Sequence, residues 1–280
     1  MIAIENYFLI VLALVWIVIA IVQDFRKREV ANWLNFSLIA IALSYRAFLS
    51  IFFWNHLYFI NGLMGFAVFF GLANLFYYSR VFAGGDAKLL MGLGAVLPFS
   101  FFFYENLQIF LYFIILLMFA GSIYGLLYSI VLSYGNRQAF SKEFLKQFKN
   151  NKRLILVFLI PSIFLFILLS IIGEYILILL PLLILVFPFL YIYAKSIEES
   201  CMIKSVYAKK LTEGDWLYRE VRVGRQRVKP NWEGLSKKEL KILRKSRKKI
   251  LIKEGIPFTP SFLFALLILI LLRNSNWSFW

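Results

Sequence analysis

The sequence predicts an all-α polytopic membrane protein, with about eight transmembrane helices and a small basic cytoplasmic domain. Three observations carry that reading. The 280 residues are 61% hydrophobic and 19% aromatic, more apolar surface than a soluble fold of this length can hide. The apolar residues fall in runs near twenty, the length that crosses a hydrocarbon layer of about 30 Å. The 31 Lys and Arg residues gather in alternate connecting segments, as the cytoplasmic loops of membrane proteins do.

Taken in order, the spans fall at about 5–23, 33–53, 58–79, 87–104 and 107–132, then 154–172, 175–194 and 256–272. The first has no Lys or Arg ahead of it and is too long for a removable signal peptide, so it reads as a retained helix. Glycines thin several helices for close contact: Gly62, Gly65 and Gly71 on the third, Gly92 and Gly94 on the fourth, Gly121 and Gly125 on the fifth. Pro161, Pro181 and Pro188 lie inside the sixth and seventh spans and are expected to kink them. The organisation that follows is a five-span core over 1–132, a cytoplasmic loop at 133–153, a hairpin at 154–194, a basic domain at 195–254 and a final helix from 255.

Charge sets the orientation. With the side after the first span taken as inside, 29 of the 31 basic residues fall inside, eighteen of them between 195 and 254. Arg46, in the outer half of the second span, must snorkel outward or find a partner, and Arg273 lies at the outer C-terminus. Glu105, Glu174 and His56 mark the outer turns, and Trp54, Tyr58, Tyr104, Trp277 and Trp280 the outer boundary. Both termini are therefore expected outside. The net charge of +16 is then a topology signal, and nucleic acid is not an expected partner.

The basic domain contains LYREVRVGRQRV, which reads as a hairpin bent at Gly224. It also contains SKKELKILRKSRKKI, which opens with a capping box from Ser236 to Glu239 and continues as a basic helix drawn to anionic lipid headgroups. The lone Cys201 excludes an internal disulfide and a multi-cysteine zinc site. No metal or organic cofactor is implied.

The chemistry points to two carboxylates. Of the three aspartates, Asp215 belongs to the basic domain, whereas Asp24 ends the first span and Asp86 opens the fourth, both at the inner face. Singly each has a structural reading: Asp86 caps a helix N-terminus, and Asp24 is an ion-pair partner for Arg26, Lys27 and Arg28. As a pair they can share one proton, because close like charges do not both ionise cheaply. The ionised member can take a proton from water while the neutral one donates to a carbonyl oxygen. Gly84 and Gly85, without side chains, let an extended substrate backbone approach Asp86.

The stretch AGGDAKLLMGLGAV resembles the GxGD signature of the aspartic membrane peptidases, closest to the type IV prepilin peptidases. VQDFRKREVANWLN is similar to the partner-aspartate segment of that family, with Asp24 in its place. EGIPFTPSFLFALLI, LTEGDWL and GLSKKEL resemble the archaeal branch that processes archaellin and pilin-like precursors. Ala83 stands where the signature has its first glycine. Bacterial members carry paired cysteines and N-methyltransferase activity; the single cysteine here implies cleavage without methylation.

The resemblance implies six spans, so the sixth and seventh stand as an added hairpin. It also implies an endopeptidase that removes the basic class III leader of prepilin-like or preflagellin precursors, with Asp24 and Asp86 catalytic. Lys88 either acts on Asp86, contacts the substrate or snorkels to headgroups. Glu213 and Asp215 are candidate readers of the basic leader. Two other classes compete. A proton-coupled transporter predicts carboxylates near mid-bilayer and an internal repeat, and neither is visible. A non-enzymatic component of a pilus or secretion machine would tolerate Asp-to-Asn changes.

Overall fold

The computed structural model describes residues 4–275 other than 174, 225 and 247, and only the backbone of 175 and 176. Trp277, Trp280 and Glu174 lie outside the described residues. The chain divides into two compact units, Met1–Leu127 with Ile256–Trp280, and Tyr128–Gly255.

The first unit is wholly helical: α1 (Asn6–Lys27), α2 (Asn32–Phe52), α3 (Leu57–Tyr78), α4 (Gly84–Val96), most of α5 (Phe103–Gly135) and α10 (Thr259–Asn274). α1 stops where Arg28 turns left-handed (φ 55°) and returns its N–H to the Asp24 carbonyl at 2.8 Å. This turn leads within a few residues into α2. Outward faces of the long helices are apolar, with Phe48, Phe70, Leu111 and Phe119 each at least half exposed. Such faces suit lipid as solvent.

α4 is the exception, because nine of its 13 residues are buried. It packs against α2 and α3 through small residues. A Cβ on Gly65 would collide with the Gly94 carbonyl oxygen, and one on Gly92 would crowd Leu38. Backbones thus meet where side chains are missing. Leu34, Leu38, Phe69, Leu89, Leu93 and Phe113 fill the surrounding core.

The expected count of eight spans is not confirmed. Six described helices are long and apolar enough to cross a membrane: α1, α2, α3, α5, and α7 (Lys152–Ile172) and α8 (Leu179–Ser200) of the second unit. α10 has 16 residues and α4 only 13. At 1.5 Å per residue α4 reaches about 20 Å, short of the ~30 Å core. It stops before Pro98, and the residues after it run as irregular backbone to Phe103.

Irregular backbone at that depth requires internal donors and acceptors. Arg46, 2% exposed, donates to the carbonyl oxygens of Ala95 (2.7 Å), Val96 (2.9 Å) and Pro98 (2.6 Å). Asn61 donates to those of Ser100 and Phe101, and Asn6 to that of Phe99. Asn106 both accepts from the Ser100 N–H and donates to its carbonyl. Arg46 therefore does not snorkel; it turns inward and caps α4. Gly62 makes room, since a Cβ there would strike the Arg46 side chain. At this end of the unit Arg273 also reaches Glu105, at 3.4 Å.

The second unit holds α6 (Arg137–Asn150), α7, α8 and a mixed lobe of β1 (Ile203–Tyr207), β2 (Trp216–Leu217), β3 (Val221–Val223), β4 (Gln226–Val228), α9 (Lys237–Leu243) and β5 (Lys249–Lys253). The polar segment read as a loop at 133–153 thus contains a helix, α6, whose Phe140 and Phe148 meet Tyr193 and Phe189 of α8. Ser162 of α7 donates to the Pro181 carbonyl at 2.7 Å. Pro181 sits in the first turn of α8, where a missing N–H costs nothing, whereas Pro161 and Pro188 are interior.

In the lobe the sheet runs β1-β5-β2, all antiparallel. β3 and β4 form the expected hairpin, with Gly224 at φ 61°. The Ser236–Glu239 capping box is present, but the helix it opens ends at Leu243. The expected basic helix is therefore short, because 249–253 alternates: Ile250 and Ile252 are buried in the lobe core while Lys249 and Leu251 are exposed. Period two makes a strand.

Replacing Arg46 by Met leaves three backbone oxygens at the end of α4 without their donor. At about 1–3 kcal/mol for each buried group left unpaired, Arg46→Met should lower stability by roughly 3 kcal/mol or more. Thermal unfolding in detergent checks this, and an unchanged midpoint would refute the capping role.

Candidate active site

Three elements of the first unit converge on Asp24. The residue lies in the last turn of α1 and is 8% exposed. Its Oδ2 accepts the hydroxyl of Thr259 at 2.9 Å and the Thr259 backbone N–H at 3.3 Å. Thr259 is the first residue of α10 and fully buried. Its N–H has no helical partner at that position, so Asp24 satisfies a donor that α10 leaves open. The backbone at Phe258 is close by, and Arg28 lies near enough for its charge to be felt.

Asp86 stands in the first turn of α4, also 8% exposed, and takes a hydrogen bond from the backbone of Ala83. The two carboxylates, 62 positions apart in sequence, are close enough for the charge of Asp24 to be felt at Asp86. The fold therefore brings together the pair singled out in the sequence.

The remaining candidates are placed as follows. Gly85 sits against the α1–α2 turn: a Cβ there would lie 3.2 Å from both the Cβ and the backbone N of Val30. Its missing side chain is occupied by Val30, which lets α4 begin directly under that turn. Gly84 is freer, with only Tyr77 Cε2 at 3.7 Å. Lys88 donates to Asn32 Oδ1 at 2.6 Å, tying α4 to the start of α2. In the second unit, Asp215 accepts from the Thr212 N–H (2.7 Å) and hydroxyl (3.1 Å), closing its own turn. Glu213 lies 3.7 Å from Lys237.

Sequence reasoning missed Thr259, Asn35 and Gln23. Gln23 Oε1 accepts the Ala31 N–H at 2.9 Å and so shapes the turn between α1 and α2. Asn35, fully buried on α2, donates to the Gly85 carbonyl at 3.3 Å, and its Oδ1 is buried with no partner among the described residues. A polar residue inside an apolar span was the available signal for Asn35. For Thr259 the signal was a hydroxyl residue directly before Pro260, a helix-start pattern.

Residues 11–130, which include both aspartates, match the family model of the type IV leader peptidase family. This segment is similar to that family. The chain is also similar to the preflagellin peptidases of Methanocaldococcus jannaschii (37% identity over 82 residues) and Methanococcus maripaludis strain C6 (35% over 82 residues). Each match covers 29% of this chain and 35% of the relative. That of Methanococcus voltae is 32% identical over 98 residues, covering 35% of this chain and 42% of its own. The chain thus spans well under half the length of the curated relatives it matches. No solved structure matches it.

The two signature glycines should respond differently to a methyl group. Gly84→Ala meets no close atom and is expected to leave the unfolding midpoint unchanged. Gly85→Ala must push Val30 and the turn aside, at about 1–3 kcal/mol for overpacking. Thermal unfolding of both variants checks this, and equal midpoints would remove Val30 as the reason for the glycine.

Proposed function

We propose that the protein is a membrane aspartic endopeptidase that removes the basic class III leader from prepilin-like or preflagellin precursors at the cytoplasmic membrane face. The observation that carries this reading is the pair Asp24 and Asp86, both buried and close enough for charge to act between them, within the segment that matches the leader peptidase family model. The names of the three relatives support the substrate class. The inside location rests on the gathering of Lys and Arg on the side where α1 ends.

The surroundings of the two carboxylates differ, and the difference assigns roles. Asp24 has the Thr259 hydroxyl and N–H, the Phe258 backbone and the Arg28 charge about it. Among the described residues Asp86 has the Ala83 backbone and no such side-chain donor or cation. Asp24 is therefore the member that carries the negative charge, and Asp86 the one that holds the shared proton. Water attacks the scissile carbonyl carbon as Asp24 takes its proton and Asp86 gives its own to the carbonyl oxygen. In the second step the C–N bond breaks. The leaving amine takes the proton from Asp24, and Asp86 recovers one from the tetrahedral diol. No covalent intermediate forms, and both carboxyls return to their starting states.

Precursor cleavage in membranes tests the reading. A tagged class III precursor is mixed with the wild-type protein, Asp24→Asn or Asp86→Asn, and the mobility shift is followed. Loss of about 10²-fold or more is expected for each variant, since general acid and base terms are each worth that much. Cleavage at the wild-type rate by either normally inserted variant would make that aspartate structural.

Thr259 should act through Asp24 without touching the substrate. Thr259→Val removes the hydroxyl donor and is expected to lower kcat roughly tenfold, the cost of about one charge-assisted hydrogen bond, with KM unchanged. Thr259→Ser should restore kcat. If Ser is as poor as Val, the methyl group and its packing are what matter.

A further inference from the structure

The second unit contains a cleft that the aspartate pair leaves unexplained. About 210 Å³ in volume, it is lined by Arg219, Arg222, Lys248 and Lys249, with Ser246 and Glu220 among them. Its walls also include Val221, Ile250 and Leu251. Glu220 offsets only part of this cluster: its Oε1 lies 3.5 Å from Arg222 and 3.9 Å from Arg227, and it is paired with none of Arg219, Lys248 and Lys249 among the described residues. All four cationic side chains are exposed, so their charged ends stay in water and available.

We propose that this cleft binds the phosphate of an anionic phospholipid headgroup at the membrane end of α8. Its place within the unit argues for lipid. The apolar span α8 ends in the charged residues Lys195, Glu198 and Glu199, which mark the boundary between hydrocarbon and water. Lys253 of β5 forms an ion pair with Glu198, and the Tyr218 hydroxyl donates to Glu199. The sheet is thereby tied to the last turn of the span, the depth at which headgroup phosphates lie.

The cleft adjoins those ties. Tyr218 donates its N–H to the Leu251 carbonyl, and its ring carries the Arg219 guanidinium 4.9 Å above its centroid. Lys253 and Lys249 stand on the same strand, β5. The register of the sheet places Tyr207, Leu251 and Trp216 on the face that carries Lys249 and Lys253. Those three apolar side chains are 53%, 39% and 42% exposed. A site for a free phosphate needs no such rim of amphipathic rings; a headgroup with acyl chains beside it does.

Detergent-purified full-length protein, titrated with phosphatidylglycerol or phosphatidylcholine and followed by native mass spectrometry, tests the proposal. Phosphatidylglycerol should be retained about tenfold more strongly than phosphatidylcholine, in keeping with several cations acting near one phosphate. The combined variant Arg219→Gln, Arg222→Gln, Lys248→Gln and Lys249→Gln should lose that preference. Lys237→Gln with Lys238→Gln and Lys241→Gln on α9, of similar charge loss, should keep it. The single changes Arg222→Gln and Lys249→Gln, each expected to weaken retention severalfold, guard against misfolding of the combined variant. Equal loss in the α9 variant would overturn the cleft in favour of diffuse charge. Displacement of the lipid by millimolar inorganic phosphate would overturn the lipid in favour of a free anion.

Discussion

The three hydrogen bonds from Arg46 to the carbonyls at and just beyond the end of α4 are the constraint around which the first unit is arranged, because they allow a short helix to stop inside the buried core of the unit. Burying a guanidinium costs several kcal/mol in desolvation, and the open carbonyls of a helix end carry a comparable penalty in hydrocarbon. Each liability is the other's remedy. A positive group also opposes the negative end of the helix dipole. Asn6, Asn61 and Asn106 continue the arrangement over residues 99–101, so the backbone beyond α4 is supplied with partners before α5 begins.

What that end secures, the other end uses. Because α4 is fixed by its C-terminal cap and by backbone-close contacts at Gly65 and Gly94, its first turn has little freedom, and Asp86 is held there. Asp24 is fixed differently, by the last turn of α1 and by the first residue of α10. The two carboxylates thus come from different helices, whose ends meet where the α1–α2 turn packs Val30 against Gly85. This matters for acid–base work: a pair that repels must be held together by the scaffold, since its own interaction would separate it.

Helices, the aspartate pair and the hairpin at Gly224 were legible because each depends on a local pattern: apolar run length, a distinctive short motif, or a turn glycine between β-rich stretches. The errors share a cause. The fourth apolar run looked long enough to span because hydropathy does not register an interruption that polar side chains from distant helices make good. Arg46, Asn61 and Asn106 are 15 and 45 positions apart in sequence, and nothing local says that they meet. Thr259 was hidden for the same reason, lying 235 positions from Asp24. In the lobe, the basic residues between 237 and 249 looked uniformly helical, and the strand was missed because its period-two pattern lasts only five residues.

On the proposed function, the charge of the chain bears on how a basic leader would reach the buried pair of carboxylates. Glu213 and Asp215, the acidic residues that looked available to read it, are engaged within their own lobe, with Lys237 and with Thr212. Cations outnumber carboxylates 31 to 15, so at long range the protein repels such a leader. On the proposed function, attraction can come from a third party with negative charge at the membrane surface. Anionic headgroups fill that role for both: they draw basic leaders to the bilayer, and on the proposed reading the lobe collects them at the end of α8. On that reading the membrane surface concentrates the substrate, the proposed aspartate pair supplies the chemistry, and recognition needs no acidic groove on the protein.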